Sequence, residues 1–146
     1  MAGKDLIREM NNKLIHFSIF FIFLFFSYGV YANLFMNKTL ACSTEKFPLK
    51  GGFKFINNSE VDRYNILLNH ITNKEYISHS SHCYILSEHL IAISNKSLQD
   101  GCGGYSSFID INTLEFSRPV ENIVLTANCY YFQQNLLQAL EEIINN

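Results

Sequence analysis

The sequence predicts an α+β domain: an antiparallel sheet of four to five strands, two helices packed on it, and two disulfides. Three observations carry that expectation. Apolar residues recur at spacings of three and four over 59–71 and again from Ala127 onward, the period of an amphipathic helix. Between these segments lie short β-branched and aromatic runs separated by Gly, Asn and Asp, the pattern of strands and turns. Four cysteines, Cys42, Cys83, Cys102 and Cys129, follow an apolar N-terminal run, and none lies inside it.

The N-terminal run sets the compartment. Leu14–Ala32 is apolar except for His16, Ser18, Ser27 and Gly29, and Lys4, Arg8 and Lys13 precede it. It ends in Val30-Tyr31-Ala32, with small residues at the two positions a signal peptidase reads. Basic start, apolar core and small-residue end read as a signal peptide over 1–32. Nineteen residues also come close to the roughly 20 that cross a bilayer core, so an uncleaved anchor at 14–32 is the alternative. Either reading places 33–146, as a single small domain, outside the cytoplasm: periplasmic or secreted. An even cysteine count in a short exported chain implies disulfides. Four cysteines allow three pairings, and the sequence does not choose among them.

Each element then follows in order. Residues 33–50 show no period and read as an extended lead, with Pro48 discouraging helix. Gly51-Gly52 signals a turn, and 52–56 reads as a strand with Phe53 and Phe55 on one side of Lys54. Asn58 or Ser59 caps the first expected helix, with Asp62 three residues beyond Ser59. Its stripe is Val61, Tyr64, Leu68 and Ile71, while Arg63, Asn65 and Asn69 turn to water; it stops near Thr72-Asn73. Strands are expected at 82–86 and 90–94 about a turn at 87–89, and 105–111 alternates toward a hairpin at Asn112-Thr113. Pro119 breaks the sheet pattern. A last short strand at 123–126 leads into the second helix, striped by Cys129, Phe132, Leu136, Leu140 and Ile143.

Composition excludes some functions. Beyond residue 32 there are eight Lys and Arg against eleven Asp and Glu, with no basic cluster. That argues against nucleic acid as a partner and against adhesion to anionic lipid through a basic patch. Cys102 lies between Gly101 and Gly103-Gly104, but a thiol nucleophile needs a base, and no histidine follows His89 to serve in a papain-like order. A disulfide is the expected fate of Cys102, the glycines permitting a tight turn beside it. His79, His82 and His89 lack a dense histidine–carboxylate signature, and in a strand His79 and His82 face opposite ways, so neither metal nor cofactor is expected.

Asp100, Asp110 and Glu115 offer carboxylates for glycoside hydrolysis, yet nothing in their spacing demands a cleft between them. No catalytic residue is assigned. The expectation is an exported binding protein, an inhibitor or immunity-type factor acting on an extracytoplasmic protein. Its contact residues are expected in loops 98–107 and 112–118: Asp100, Tyr105, Asp110 and Glu115. The alternatives are a small secreted hydrolase, using Asp100, Asp110 or a histidine from His79 to His89, and an envelope protein anchored through 14–32.

Overall fold

Eight strands, each hydrogen-bonded to the next, close on themselves as an antiparallel barrel, and one helix follows. The computed structural model describes residues 34–45 and 47–145; the expected leader at 1–32 lies outside the described residues. From Phe35 onward the chain is one compact unit. The strands are β1 (Thr39–Thr44), β2 (Phe47–Phe55), β3 (Glu60–Asn69), β4 (Lys74–Leu86), β5 (Leu90–Ser97), β6 (Tyr105–Asp110), β7 (Glu115–Val120) and β8 (Ile123–Tyr131). The helix α1 is Leu136–Asn145. Every neighbour pair is antiparallel, so successive turns alternate between the two ends of the barrel.

The expected α+β fold is therefore wrong. The sheet is closed, it has eight strands rather than four to five, and one helix packs on it rather than two. The largest error is at 59–71, which is β3 and its turn. The Asn57 carboxamide oxygen accepts from the amides of Ser59 and Glu60 at 2.9 and 3.0 Å. Polar side chains that start helices also tighten turns, and here the group shapes the β2–β3 connection. The helical stripe is a coincidence of both faces of a strand and its exposed tip, where Leu68 and Ile71 stand. Val61 points into the barrel, while Tyr64 and Ile66 point outward beneath α1. When both faces of a strand carry apolar residues, the alternation of period two is hidden. Pairing decides the outcome: Arg63 lies opposite Phe53 of β2 and Ser80 of β4.

Two more corrections share this origin. Residues 39–44 and 47–50 are strand rather than a loose lead, paired with each other and, through β1, with β8. Residues 127–131 continue β8, and the terminal helix starts only after the Asn135 side chain accepts from the amides of Leu137 and Gln138, at 3.1 and 3.3 Å. Pro119 does not break the sheet but sits in β7 opposite Val124. The Cys129 amide donates to the Leu114 carbonyl, which sets the register and leaves position 119 facing β6. The β6–β7 ladder covers only Phe108 and Ile109, so the missing N–H of Pro119 faces a stretch without pairing.

Two cores result. One fills the barrel, with Phe35, Leu40, Phe55, Val61, Ile91 and Ile109 fully buried. The other lies outside it, where Leu136 and Leu140 of α1 cover Ala41, Leu49 and Ile66. Gly52 lets the helix sit there: a Cβ at that position would collide with the Leu40 carbonyl and lie 2.8 Å from Leu136 Cδ2.

Both disulfides form. Cys42–Cys129 joins the first strand to the last, across a directly opposed pair with Cα atoms 4.0 Å apart. Cys83–Cys102 ties β4 to the β5–β6 loop, where Gly101, Gly103 and Gly104 all take positive φ.

Candidate functional site

The two ends of the barrel differ. At one end Phe35 and Phe55 pack at 5.3 Å, and the Tyr84 hydroxyl donates to the Asn57 carbonyl at 2.7 Å, sealing the lumen. At the other end the ladders come apart. β4 pairs with β5 only from His82 onward, so 74–81 is hydrogen-bonded to β3 alone.

Strand alternation selects what lines this open end. Inward from β3 come Val61, Arg63 and Asn65. Arg63 is mostly buried, and its guanidinium carbon lies 6.0 Å from the Phe53 ring centre and 5.8 Å from that of Phe116. The two rings tilt against each other at 5.5 Å. Two residues beyond Phe116, Arg118 faces inward from β7. Burial lowers the pKa of Arg63, and the neighbouring charge of Arg118 lowers it further. Arg63 Nε is buried without a hydrogen-bond partner among the described residues. A pocket of about 80 Å³ opens beside it, lined by Cys42, Gly51, Phe53, Arg63, Asn65 and Phe116 among others.

Around this mouth two hairpin tips expose apolar side chains. The β3–β4 tip carries Leu67, Leu68 and Tyr76, and its outermost residue, Ile71, is 96% exposed. The Asn69 side chain accepts from the amides of Ile71 and Thr72 at 2.9 and 3.1 Å, so the turn that presents Ile71 is internally braced. The β7–β8 tip carries Val120, Leu125, and Ile123 and Val124 at 60% exposure each.

The four expected contact residues are divided between the ends. Asp100 and Tyr105 flank the β5–β6 loop at the open end. Asp100 is engaged locally, accepting from the Ser97 hydroxyl at 2.5 Å. Asp110 and Glu115 flank the β6–β7 turn at the sealed end. One Asp110 oxygen accepts from the amides of Asn112 and Thr113, both at 2.8 Å, and these bonds hold its pKa below the usual carboxylate range.

The histidines also separate. His79 stacks on Tyr64 at 4.7 Å and lies 3.4 Å from Asp62 on the outer surface. His89 lies 4.0 Å from Glu88 at the sealed end. His82 is buried, with Nδ1 2.9 Å from the Lys96 carbonyl and Nε2 2.8 Å from the Ser80 hydroxyl. A carbonyl only accepts, so Nδ1 carries the proton and the Ser80 hydroxyl donates to Nε2. Both ring nitrogens are thus satisfied, as a buried histidine requires. Among the described residues no three His, Cys, Asp or Glu side chains converge as a metal site, and every described cysteine is in a disulfide.

Sequence reasoning missed Arg63 because the helical reading turned it to water. It missed the apolar tips because 66–71 and 123–125 were absorbed into expected buried elements. An apolar run that ends in turn residues with no covering element in sight was the available signal.

By fold and site the chain is a small disulfide-stapled β-barrel with one sealed end and one open, apolar-rimmed end. No family model, curated protein or solved structure matches it.

Proposed function

We propose that the protein is an exported binding protein, periplasmic or secreted, that docks on an extracytoplasmic protein with the open end of its barrel and acts as an inhibitor or immunity-type factor. One observation carries the reading: two hairpin tips, one of them braced by Asn69, present large apolar side chains to solvent around the same mouth. Clustered exposed apolar surface ringed by polar residues marks interaction sites. Two disulfides favour an oxidising compartment, and Cys83–Cys102 tethers the β5–β6 loop to β4. Asp100 and Tyr105 belong to the rim of this face, whereas Asp110 and Glu115 serve the opposite turn. The hydrolase alternative draws less support, because Asp100 and Asp110 stand at opposite ends and His82 is already satisfied.

Site-specific photo-crosslinking tests the proposal. A photoreactive residue replaces Ile71 or Val124 at the tips, or Leu90, which is exposed at the sealed end. The same protein should be captured from positions 71 and 124 and not from 90, and Ile71→Lys with Val124→Lys should abolish the capture. Equal capture from all three positions, or none from either tip, removes the reading.

A further inference from the structure

We propose that Arg63 and Arg118 form a carboxylate-binding site in the open mouth of the barrel. The proposal rests on the lumen alone and stands whether or not the hairpin tips dock a protein. Two guanidiniums face one interior with no described carboxylate paired to either. The acids on the neighbouring strands point away and are engaged elsewhere. Asp62 accepts from Ser81 at 2.6 Å, and Glu75 pairs with Lys50 at 3.6 Å, both on the outer surface. A partly buried cation whose Nε lacks a partner is unfavourable, and an anion brought to it relieves both the desolvation and the repulsion between like charges. Burial and the neighbouring arginine both disfavour the charged form of Arg63, which agrees with this geometry.

The shape selects the anion. Phe53 and Phe116 lie side by side, each about equally far from the Arg63 guanidinium carbon. They cover one flank of the guanidinium with ring faces, which carry partial negative charge. A ligand must therefore approach along the N–H edge. A flat carboxylate can lie in the guanidinium plane and accept two parallel bonds; phosphate can do the same, but its higher charge and lack of a carbon substituent suit an aromatic-lined pocket less well. The pocket of about 80 Å³ leaves room for a carboxylate and a small substituent, with ring edges against the carbon. The carboxylate can belong to a free organic acid or to the end of a peptide chain.

The test is a titration of the full exported protein at fixed ionic strength, following the arginine side-chain N–H resonances. The probes are acetate, benzoate, a tripeptide with a free C-terminus, the same tripeptide as its amide, and inorganic phosphate. Acetate, benzoate or the free tripeptide should give a saturable shift of the Arg63 and Arg118 signals, at least tenfold tighter than phosphate. Arg63→Gln and Arg118→Gln should each weaken that binding more than tenfold, while Lys54→Gln leaves it unchanged. Saturation by the free tripeptide but not by acetate or benzoate assigns the source to a chain terminus; the reverse assigns it to a small acid. If Arg63→Gln fails to fold, Arg118→Gln carries the readout. Phosphate binding as tight as the carboxylates, shifts that persist in the Gln variants, or no saturable shift overturns the proposal.

Discussion

The sealed end and the open end of the barrel are built from the same eight strands but bury opposite chemistry. At the sealed end Phe35, Phe55 and Tyr84 interlock, with the Tyr84 ring edge-on to Phe55 at 5.0 Å and its hydroxyl satisfied. At the open end the lumen holds two arginines, ladders part, and apolar side chains stand in solvent. Local rules of pattern, polar satisfaction and burial agree at the first end and are broken at the second. Such local violations are expected where a surface serves binding rather than folding. The stability of the fold should therefore be concentrated away from the open end.

Removing the disulfides gives the largest test of that contrast. Cys42–Cys129 spans 87 residues and closes the barrel seam, whereas Cys83–Cys102 spans 19 and holds only the loop at the open end. On the chain-entropy account their removal as Cys→Ala pairs costs about 4.6 and about 3.2 kcal/mol, respectively. Urea unfolding measures both. Hydrogen exchange should show loss of the second bridge speeding exchange in 97–104 while β1 and β8 stay protected. Equal loss of protection across the barrel in both variants would show that the two ends are not separable.

A single side chain probes the sealed end next. Phe55→Ala removes a fully buried ring that touches both Phe35 and Tyr84, so about 4 kcal/mol of stability should be lost. Truncating Ile71, exposed at the opposite end, should leave the urea midpoint nearly unchanged.

How much of this was legible follows the same division. Two disulfides, the Asn112-Thr113 turn and the strands around 82–86, 90–94 and 105–110 rest on local signals: cysteine count, turn chemistry and β-branched runs. Closure of the sheet does not. It depends on β1 meeting β8, with Cys42 opposite Cys129, a contact between distant positions that no window of sequence displays. The false helix at 59–71 arose because inward Val61, outward Tyr64 beneath α1, and Leu68 and Ile71 of the exposed tip fall at helical spacing. The same error hid the inward facing of Arg63, since facing is lost when a strand is read as a helix. Turn residues mark Asp100, Tyr105, Asp110 and Glu115 as loop-borne in the sequence; that the first two lie at one end and the last two at the other required the topology.

Arg63 gives a smaller effect with an informative sign. If the sealed end holds the fold and the open end is kept for binding, Arg63→Met should not destabilise the protein in chloride buffer. The change removes a partly buried charge whose Nε lacks a partner and keeps a chain able to pack on Phe53 and Phe116, so a gain of about 1 kcal/mol is expected. A loss of comparable size in urea unfolding would mean that the guanidinium is itself part of the core.

Asp110 carries the smallest effect and belongs to the sealed end. The amides of Thr113 and Asn112 depress its pKa in the folded state, with His89 adding slightly. A carboxylate depressed on folding stabilises the native state above its unfolded pKa, and that contribution is lost as pH falls through the folded value. Asp110→Asn keeps an acceptor oxygen for the turn and removes only the charge. Its urea midpoint should lie slightly below that of the native protein at pH 7, and the gap should narrow once the pH drops below about 4. The residue is partly exposed at the turn, so solvent screening keeps the difference small, and added salt should shrink the part due to His89 while sparing the part due to the two amides. A gap that stays constant into strong acid would show that Asp110 acts through turn geometry alone, leaving the sealed end without any electrostatic share in its stability.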